Sequence, residues 1–417
     1  MKDGHYDVIV IGGGSSGMMA AGIAGRSGKR VLVLEKNKEM GAKLKITGGG
    51  RCNVTHAEFD VRKLLPFYKE NEKFLYSAFS QFGVQDTFDF FEKLGLPLIV
   101  QALNRAFPKT EKALDVFKAL EKFMKDSGVT VITKAPVTKI HNEGEVITSV
   151  TAGGKVYFAD SFILATGGVS HPETGSTGDG FKWLRDLGHT IADPTPSIVP
   201  IAVENPWIKS LSGKSFDDVK ITFFINEVKS FFKKGRILAT HFGLSGPLIL
   251  NSAQKIGDLL QEGAVTATIN LFPDKDLGAV EQFMIETFDA NKNKSFKNVF
   301  SAFVPLGMAS GILPLVEEFI PFLELDTKVH SVTKDSRKKL VKLLTTLPVE
   351  ITGLMGLDRA VVADGGIPLD EIDTKTMRSK KISNLFITGD LLHVNRPTGG
   401  QSLQLCWTTG YVAGKHA

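Results

Sequence analysis

Cysteine is scarce in this chain: Cys52 and Cys406 are the only two among 417 residues. Two thiols cannot build a disulfide framework, and these match no zinc-ligand spacing, so a reducing compartment is expected. No apolar run reaches the roughly 18 residues that a membrane helix needs. The opening MKDGHYDVIVIGGG lacks both the charge-then-apolar order and the cleavage site of a secretion signal. A cytoplasmic protein with no membrane partner is therefore expected. No G-x-x-x-x-G-K-[ST] segment is present, which excludes a P-loop nucleotide hydrolase. Internal repeats and low-complexity tracts are also missing. The net charge of +5 is compatible with an anionic partner such as a dinucleotide or RNA, but it carries little weight alone.

Glycine is what the chain has in excess, with 42 residues clustered in a few loops. The first cluster follows an apolar strand-like run, Tyr6 to Ile11, and precedes a helical stretch, MMAAGIAGRSG. RVLVLE then reads as a second buried strand ending in Glu35, so the order is strand, helix, strand. Gly12, Gly14 and Gly17 have the G-x-G-x-x-G spacing of a dinucleotide site: one glycine for the tight turn, one for approach to pyrophosphate, one for helix-to-strand packing. Glu35 stands about 20 residues on, where a carboxylate can accept hydrogen bonds from ribose. No second such fingerprint follows a strand, because Gly153-Gly154 reads as a hairpin turn. A dedicated NAD(P)H fold is therefore not expected.

Glu58 to about Gly128 reads as helical, with a phenylalanine stripe assigned to core packing. Alternating segments from Val129 to Gly168 read as an antiparallel meander whose last strand, Phe162 to Ala165, feeds the main sheet. After Pro194-Thr195-Pro196 the composition shifts to strand-like segments, PIAVEN, DVKITFFINEVKSFFKKGRILATHFG and AVTATINLF, which suggest a second, all-β domain. Residues from about Asp276 to Leu347 are helical in pattern. DRAVVADGGI is expected to return through the β domain, and KISNLFITGD to rejoin the first domain ahead of a last helix, QSLQLCWTTGYVAGKHA.

Asn384 to Asp390 (NLFITGD) resembles the second FAD signature of two-dinucleotide-fold flavoproteins, and Ala165-Thr166-Gly167-Gly168 resembles the ATG motif of the same superfamily. Five longer segments narrow the likeness: KLKITGGGRCNVTH (Lys43 to His56), ATGGVSHPETGSTGDG, THFGLSGPLIL, ADGGI and GDLLHVNRPTGGQSLQ. Together they resemble a bacterial family of three-domain flavoproteins, the BaiN and RdsA type. Its members are assigned as aminoacetone oxidase, bile-acid pathway oxidoreductase or ribosomal RNA dihydrouridine synthase. The resemblance implies an α/β fold in which a Rossmann-like FAD-binding domain (1–192 and 366–417) is split by a β-barrel domain (193–275 and 348–365) carrying a helical insertion (276–347). It implies tightly bound, non-covalent FAD and NAD(P)H as transient electron donor. The first candidate substrate is uridine in ribosomal RNA; alternatives are a small-molecule amine or ketone, or a flavin-bearing RNA-binding factor without turnover.

Carried to matching positions, the resemblance puts the cofactor against Gly12, Gly14, Ser16, Gly17, Glu35, Lys36, Lys43, Thr47, Gly48, Gly49, Val137, Thr166, Gly167, Gly389, Asp390, Gly399, Gly400 and Gln404. The Gly48 to Gly50 loop and the Thr398-Gly399-Gly400 turn would flank the flavin ring, with a helix N-terminus aimed at its N1 and O2 edge. The chain departs from the family at His393, Asn395, Arg396, Gln401 and Ser402, where acids and an aromatic-Asn pair are usual. Cys52 could protonate a substrate carbon as hydride leaves flavin N5, or be a small buried hydrophobe. Arg51 could balance the flavin or an anionic substrate, or pair with a surface carboxylate. His241 could act as acid, base or hydrogen-bond donor, or hold the turn that follows it. Cys406 is expected in the core. Lys334, Lys338 and Lys342 share one helix face, which fits phosphate or plain solvent. Phe231-Phe232 followed by Lys233-Lys234 is similarly open.

Overall fold

Five strands form the parallel part of a nine-stranded sheet, and the three central ones, His5–Ile11, Val31–Leu34 and Lys155–Leu164, end in buried apolar residues. The computed structural model describes residues 4–356, 359–360, 362–396 and 399–417. The strands are β1 (His5–Ile11), β2 (Val31–Leu34), β3 (Thr130–Ile132), β4 (Lys155–Leu164) and β5 (Leu385–Ile387). Their spatial order is 3-2-1-4-5, and every neighbouring pair is parallel. This is the doubly wound Rossmann order, whose crevice lies outside the carboxyl ends of β1 and β4. Val10 lies opposite Ile163, and Ile163 opposite Phe386, so the centre of the sheet is dry.

Helix α1 (Ser15–Arg26) leaves β1 directly and is crossed at close range by the C-terminal helix Gly400–His416. A methyl at Gly410 would meet Ser16 O at 2.5 Å, and one at Gly414 would meet Ala20 O at 2.3 Å. Only glycine permits that separation. Val137–Glu143 and Val146–Ala152 form the expected meander with β4. The TVI segment before it is not part of the meander; as β3 it joins the main sheet beside β2. The stretch read as helical from Glu58 also contains a hairpin, Leu98–Gln101 with Arg105–Pro108, whose second strand pairs with Thr55–His56.

By contact density the chain separates into two units, Met1–Thr195 with Val361–Ala417, and Pro196–Ala360. The second unit holds a closed six-stranded barrel in the order Ile201–Val203, Gly243–Ser245, Val228–Ala239, Ser215–Ile225, Val265–Asn270 and Leu347–Leu354. Inward positions alternate along its strands, with Phe216, Val219, Ile221 and Phe223 buried on one of them. Helices Leu277–Ala290, Phe296–Phe300, Ala309–Phe319 and Lys334–Thr345 are inserted before the last barrel strand and share one apolar core with the barrel. That last strand is LPVEITGL; the expected return through DRAVVADGGI is corrected. Of that segment, Asp358 and Val361 lie outside the described residues, and Val362–Gly366 pairs with Ala192–Ile198 in a separate two-stranded sheet.

Candidate functional site

The three fingerprint glycines do three different physical jobs. Gly12 turns the chain off β1 at φ +106°, and a methyl there would sit 2.5 Å from Ala165 O, at the end of β4. Gly17 lets α1 approach the turn, since its methyl would lie 2.0 Å from Gly12 O. Gly14, the N-cap of α1, has nothing within 4 Å of the same position, and no side chain caps the helix. Its free face therefore looks out of the protein at the positive end of a twelve-residue helix, which suits an anionic group. The buried Glu35 carboxylate accepts from Gly13 N and Asn37 N, both at 2.8 Å. It thus braces the glycine loop from the end of β2.

The Thr166-Gly167 and Gly389-Asp390 segments close on the same place. A methyl at Gly389 would meet Ser16 Oγ at 2.8 Å, and one at Gly168 would lie 3.3 Å from Asp390 O. Thr388 Oγ1 and Ser16 Oγ are 3.2 Å apart. Asp390 is paired with Arg396 and lies 3.9 Å from Lys43 Nζ. Burial alone would raise the Asp390 carboxyl, but the two cations outweigh it and hold it below its ordinary value. Burial pulls the Lys43 ammonium down, partly offset by Asp390, and Lys43 donates to Ser170 Oγ at 3.1 Å. Arg396, only 4% exposed, also donates to Val394 O at 2.7 Å and Ser402 Oγ at 3.1 Å. It ties the Gly389-Asp390 motif to the first turn of the C-terminal helix.

A second cluster forms around Gly48, Gly49 and Gly50, all left-handed at φ +62°, +67° and +83°. Methyls at Gly49 and Gly50 would meet nothing within 4 Å. The turn adjoins the start of the C-terminal helix: a methyl at Gly399 would lie 2.9 Å from Asn53 Nδ2, and one at Gly400 would lie 2.3 Å from the Thr55 carbonyl carbon. Thr398 lies outside the described residues. Asn53 Oδ1 is buried and has no hydrogen-bond partner in the protein. A buried acceptor without a partner beside a glycine turn and a helix N-terminus is one that a polar ligand could satisfy. Sequence reasoning passed over Asn53, although it lies within the Lys43 to His56 motif.

Several of the expected site residues are engaged within the protein. Gln404 is fully buried, and its amide is used inside the protein: it accepts from Thr55 Oγ1 (2.6 Å) and Thr87 Oγ1 (2.9 Å) and donates to Gly83 O and Thr408 Oγ1. It supports the C-terminal helix rather than facing a cofactor. Cys52 is 0% exposed, and burial pushes its thiol up to about 12, so it is the small core residue of the alternative reading. Arg51 takes its alternative role as well, pairing with Glu111 at 2.5 Å, donating to Gln101 Oε1 at 2.7 Å and lying 4.3 Å from the Phe107 ring centre. Cys406 is not sealed in the core; it is partly exposed, and its Sγ would lie 3.7 Å from a methyl at Gly389. Lys36 is held by Asp179 at 2.8 Å and by Thr177. Thr47 Oγ1 donates to Lys43 O at 2.8 Å. Val137 is half-buried at the start of the meander, opposite Ala152.

His241 belongs to the second unit. Its turn is held by Thr240, whose Oγ1 accepts from Gly243 N at 3.1 Å and donates to Gly243 O at 2.9 Å. The imidazole is exposed, lies edge-on to Phe242 at 4.9 Å, and has no hydrogen bond among the described residues. Holding the turn is therefore not its job.

The profile of the HI0933-like protein Rossmann domain matches residues 6–416. The chain belongs to this family. Among relatives of this HI0933-like protein, a "3-dehydro-bile acid delta(4,6)-reductase" of Clostridium scindens is 29% identical over 416 residues, covering 98% of both chains. A "Ribosomal RNA dihydrouridine synthase" of Escherichia coli is 27% identical over 408 residues, covering 98% of this chain and 97% of the relative. Among solved structures, a 3-ketosteroid-delta4-(5alpha)-dehydrogenase from Rhodococcus jostii RHA1 superposes with a TM-score of 0.51 at 15% identity, covering 100% of this chain and 97% of that one. A flavocytochrome c3 fumarate reductase gives the same TM-score at 15% identity, with 99% and 78% covered. The HI0933-like chain thus has the Rossmann-type fold of flavin-dependent reductases and dehydrogenases, interrupted by a barrel. Among the described residues no helix is long and apolar enough to cross a membrane.

Proposed function

We propose that this chain is an FAD-dependent oxidoreductase, reduced by transiently bound NAD(P)H, that reduces a carbon–carbon double bond conjugated to a carbonyl, with uridine in ribosomal RNA as first substrate. The observation that carries the cofactor assignment is the open face of Gly14, together with the orphaned Asn53 Oδ1 beside Gly49 and Gly399. The residues present fit FAD. Backbone N–H groups at the start of α1 would hold the pyrophosphate, Glu35 the ribose, Lys43 and Asp390 the polar chain, and the Gly48 to Gly50 and Gly399-Gly400 turns with Asn53 the ring. When bound, FAD supplies hydride from its N5 position.

Both relatives' names fit an acceptor of this kind, one in an RNA base and one in a steroid. Reduction of uracil needs hydride at C6 and a proton at C5. Cys52 has no exposed surface from which to deliver that proton. His241, exposed and without a hydrogen bond among the described residues, is the proposed donor. The bile-acid relative favours a second reading, a small-molecule oxidoreductase using the same cofactor site.

The test compares dihydrouridine in ribosomal RNA, by nucleoside mass spectrometry, between cells with and without the gene. A loss restored by the wild-type gene supports the RNA substrate. Unchanged nucleosides, with flavin still reduced anaerobically by NADPH, leave the small-molecule reading. A flavin that stays oxidised with NADH and NADPH overturns the enzyme itself. His241→Gln should slow substrate reduction by about a hundredfold while flavin reduction by NADPH continues.

A further inference from the structure

The barrel carries an aromatic side chain where a soluble sheet face ordinarily puts polar ones. Phe232, on the strand Val228–Ala239, is 49% exposed and lies opposite Thr222 of the strand Ser215–Ile225. Its neighbour Phe231 points inward, stacked on Phe223 at 4.5 Å, so the pleat forces Phe232 outward. Two ammonium groups lie over the exposed ring, Lys220 at 4.6 Å and Lys229 at 5.4 Å from its centre. Lys234 and Arg236, further along the strand, are paired with Asp274 and Asp217. Lys220, Lys229 and Lys233 have no carboxylate partner among the described residues. Lys220 and Lys229 thus put uncompensated charge at one exposed ring, whereas Lys233, next to Phe232 on the strand and opposite the buried Ile221, faces the other way.

A flat aromatic face bordered by free ammonium groups is how proteins hold unpaired nucleotides: the ring stacks on a base, and the cations meet phosphates. Lysine suits this use, because its flexible stem lets the ammonium leave the ring for a nearby phosphate. We propose that the outer barrel face around Phe232 is a contact for single-stranded RNA, the ring stacking on an unpaired base while Lys220 and Lys229 meet neighbouring phosphates. The assignment rests on the RNA reading of the substrate and gives the barrel unit, in addition to proton donation by His241, the grip on the strand. Charge decides between RNA and an apolar protein partner, since two unpaired cations at one ring would be costly to desolvate against an apolar surface.

The test uses the purified holoenzyme and a fluorescein-labelled oligouridine strand followed by anisotropy, alongside dihydrouridine formation on ribosomal RNA from a deletion strain. Phe232→Ala should weaken oligouridine binding about tenfold, and raise KM on RNA similarly, with kcat and NADPH reduction of the flavin kept. Phe232→Tyr should restore binding. Lys220→Gln with Lys229→Gln should weaken binding and flatten its salt dependence, by about 1.4 in the log-log slope for two phosphates on a single strand. Unchanged binding and KM in both variants, in an enzyme that still forms dihydrouridine, would overturn this surface and leave the RNA reading standing. A wild type that neither binds nor modifies RNA, while its flavin is reduced normally, would remove that reading and this surface together. Phe232-dependent binding to anionic lipid vesicles but not to oligouridine would also overturn it.

Discussion

The glycine loop after β1 and the barrel hairpin around Phe232 differ in how much room a side chain has. At Gly17 and Gly12 a single methyl would press to 2.0 and 2.5 Å against backbone oxygens, which cannot move without moving a strand. Around Phe232 the side chains stand on an open sheet face, and replacing one disturbs no backbone. The same loop contains both kinds of position, because Gly14 is open. Crowding against the protein and openness toward a ligand thus alternate within six residues, and substitutions there can separate folding from binding.

Gly17→Ala should have the largest effect, destabilising the first unit by about 3 kcal/mol and yielding colourless protein, as read by thermal denaturation and flavin absorbance. Gly14→Val sharpens the contrast: it should fold with the melting temperature of flavin-free wild type yet retain no flavin. A yellow Gly14→Val protein, or a Gly17→Ala protein as stable as wild type, would break the comparison. Glu35→Gln falls next. Its carboxylate braces Gly13 and Asn37, so neutralising it should lower FAD affinity by about 1 to 3 kcal/mol in a fluorescence titration and also soften the loop.

Glu371 tests a part of the first unit defined by other residues. Burial would raise its carboxyl, but hydrogen bonds from Lys381, His189 and Thr190 hold it at about 2. A carboxyl depressed in the folded state adds stability above its unfolded value near 4.5, and that stability is lost as pH falls toward about 2. Glu371→Gln should cost about 1 to 2 kcal/mol at neutral pH and remove that acid-dependent component from the melting profile. Cys52→Ala should have the smallest effect, about 1 kcal/mol of core packing with turnover unchanged. Slower substrate reduction with flavin reduction intact would restore the thiol as proton donor.

The crowded positions were the legible ones. Gly12, Gly17 and Gly389 stand at fixed offsets from apolar strands, because neighbouring atoms leave no room for a side chain, and the strand-helix-strand reading follows from their spacing with the open Gly14 and with Glu35. The hairpin at Leu98–Pro108 was hidden because its partner, Thr55–His56, lies more than a helix away in sequence, and a short apolar run is compatible with either state. The barrel strand Leu347–Leu354 was obscured by Pro348, which sits near its start opposite Thr268, a position where a strand tolerates proline. Side-chain partnerships were not legible at all. Gln404 looked like a ligand residue until Thr55 and Thr87 were seen to use its amide, and Arg396 looked like a departure until Asp390 and Ser402 gave it a structural part.

The 3-2-1-4-5 order also sets a timetable. β1 to β4 and the first two glycine motifs leave the ribosome early, whereas β5, Asp390 and the C-terminal helix that closes on α1 follow only after the whole of the barrel unit has been made. Because domains tend to fold as they emerge, the barrel can form while the first unit's sheet still lacks β5. The flavin site then forms only after the barrel unit has been made, so flavin colour would report that synthesis has passed the barrel as well as that the first unit has folded.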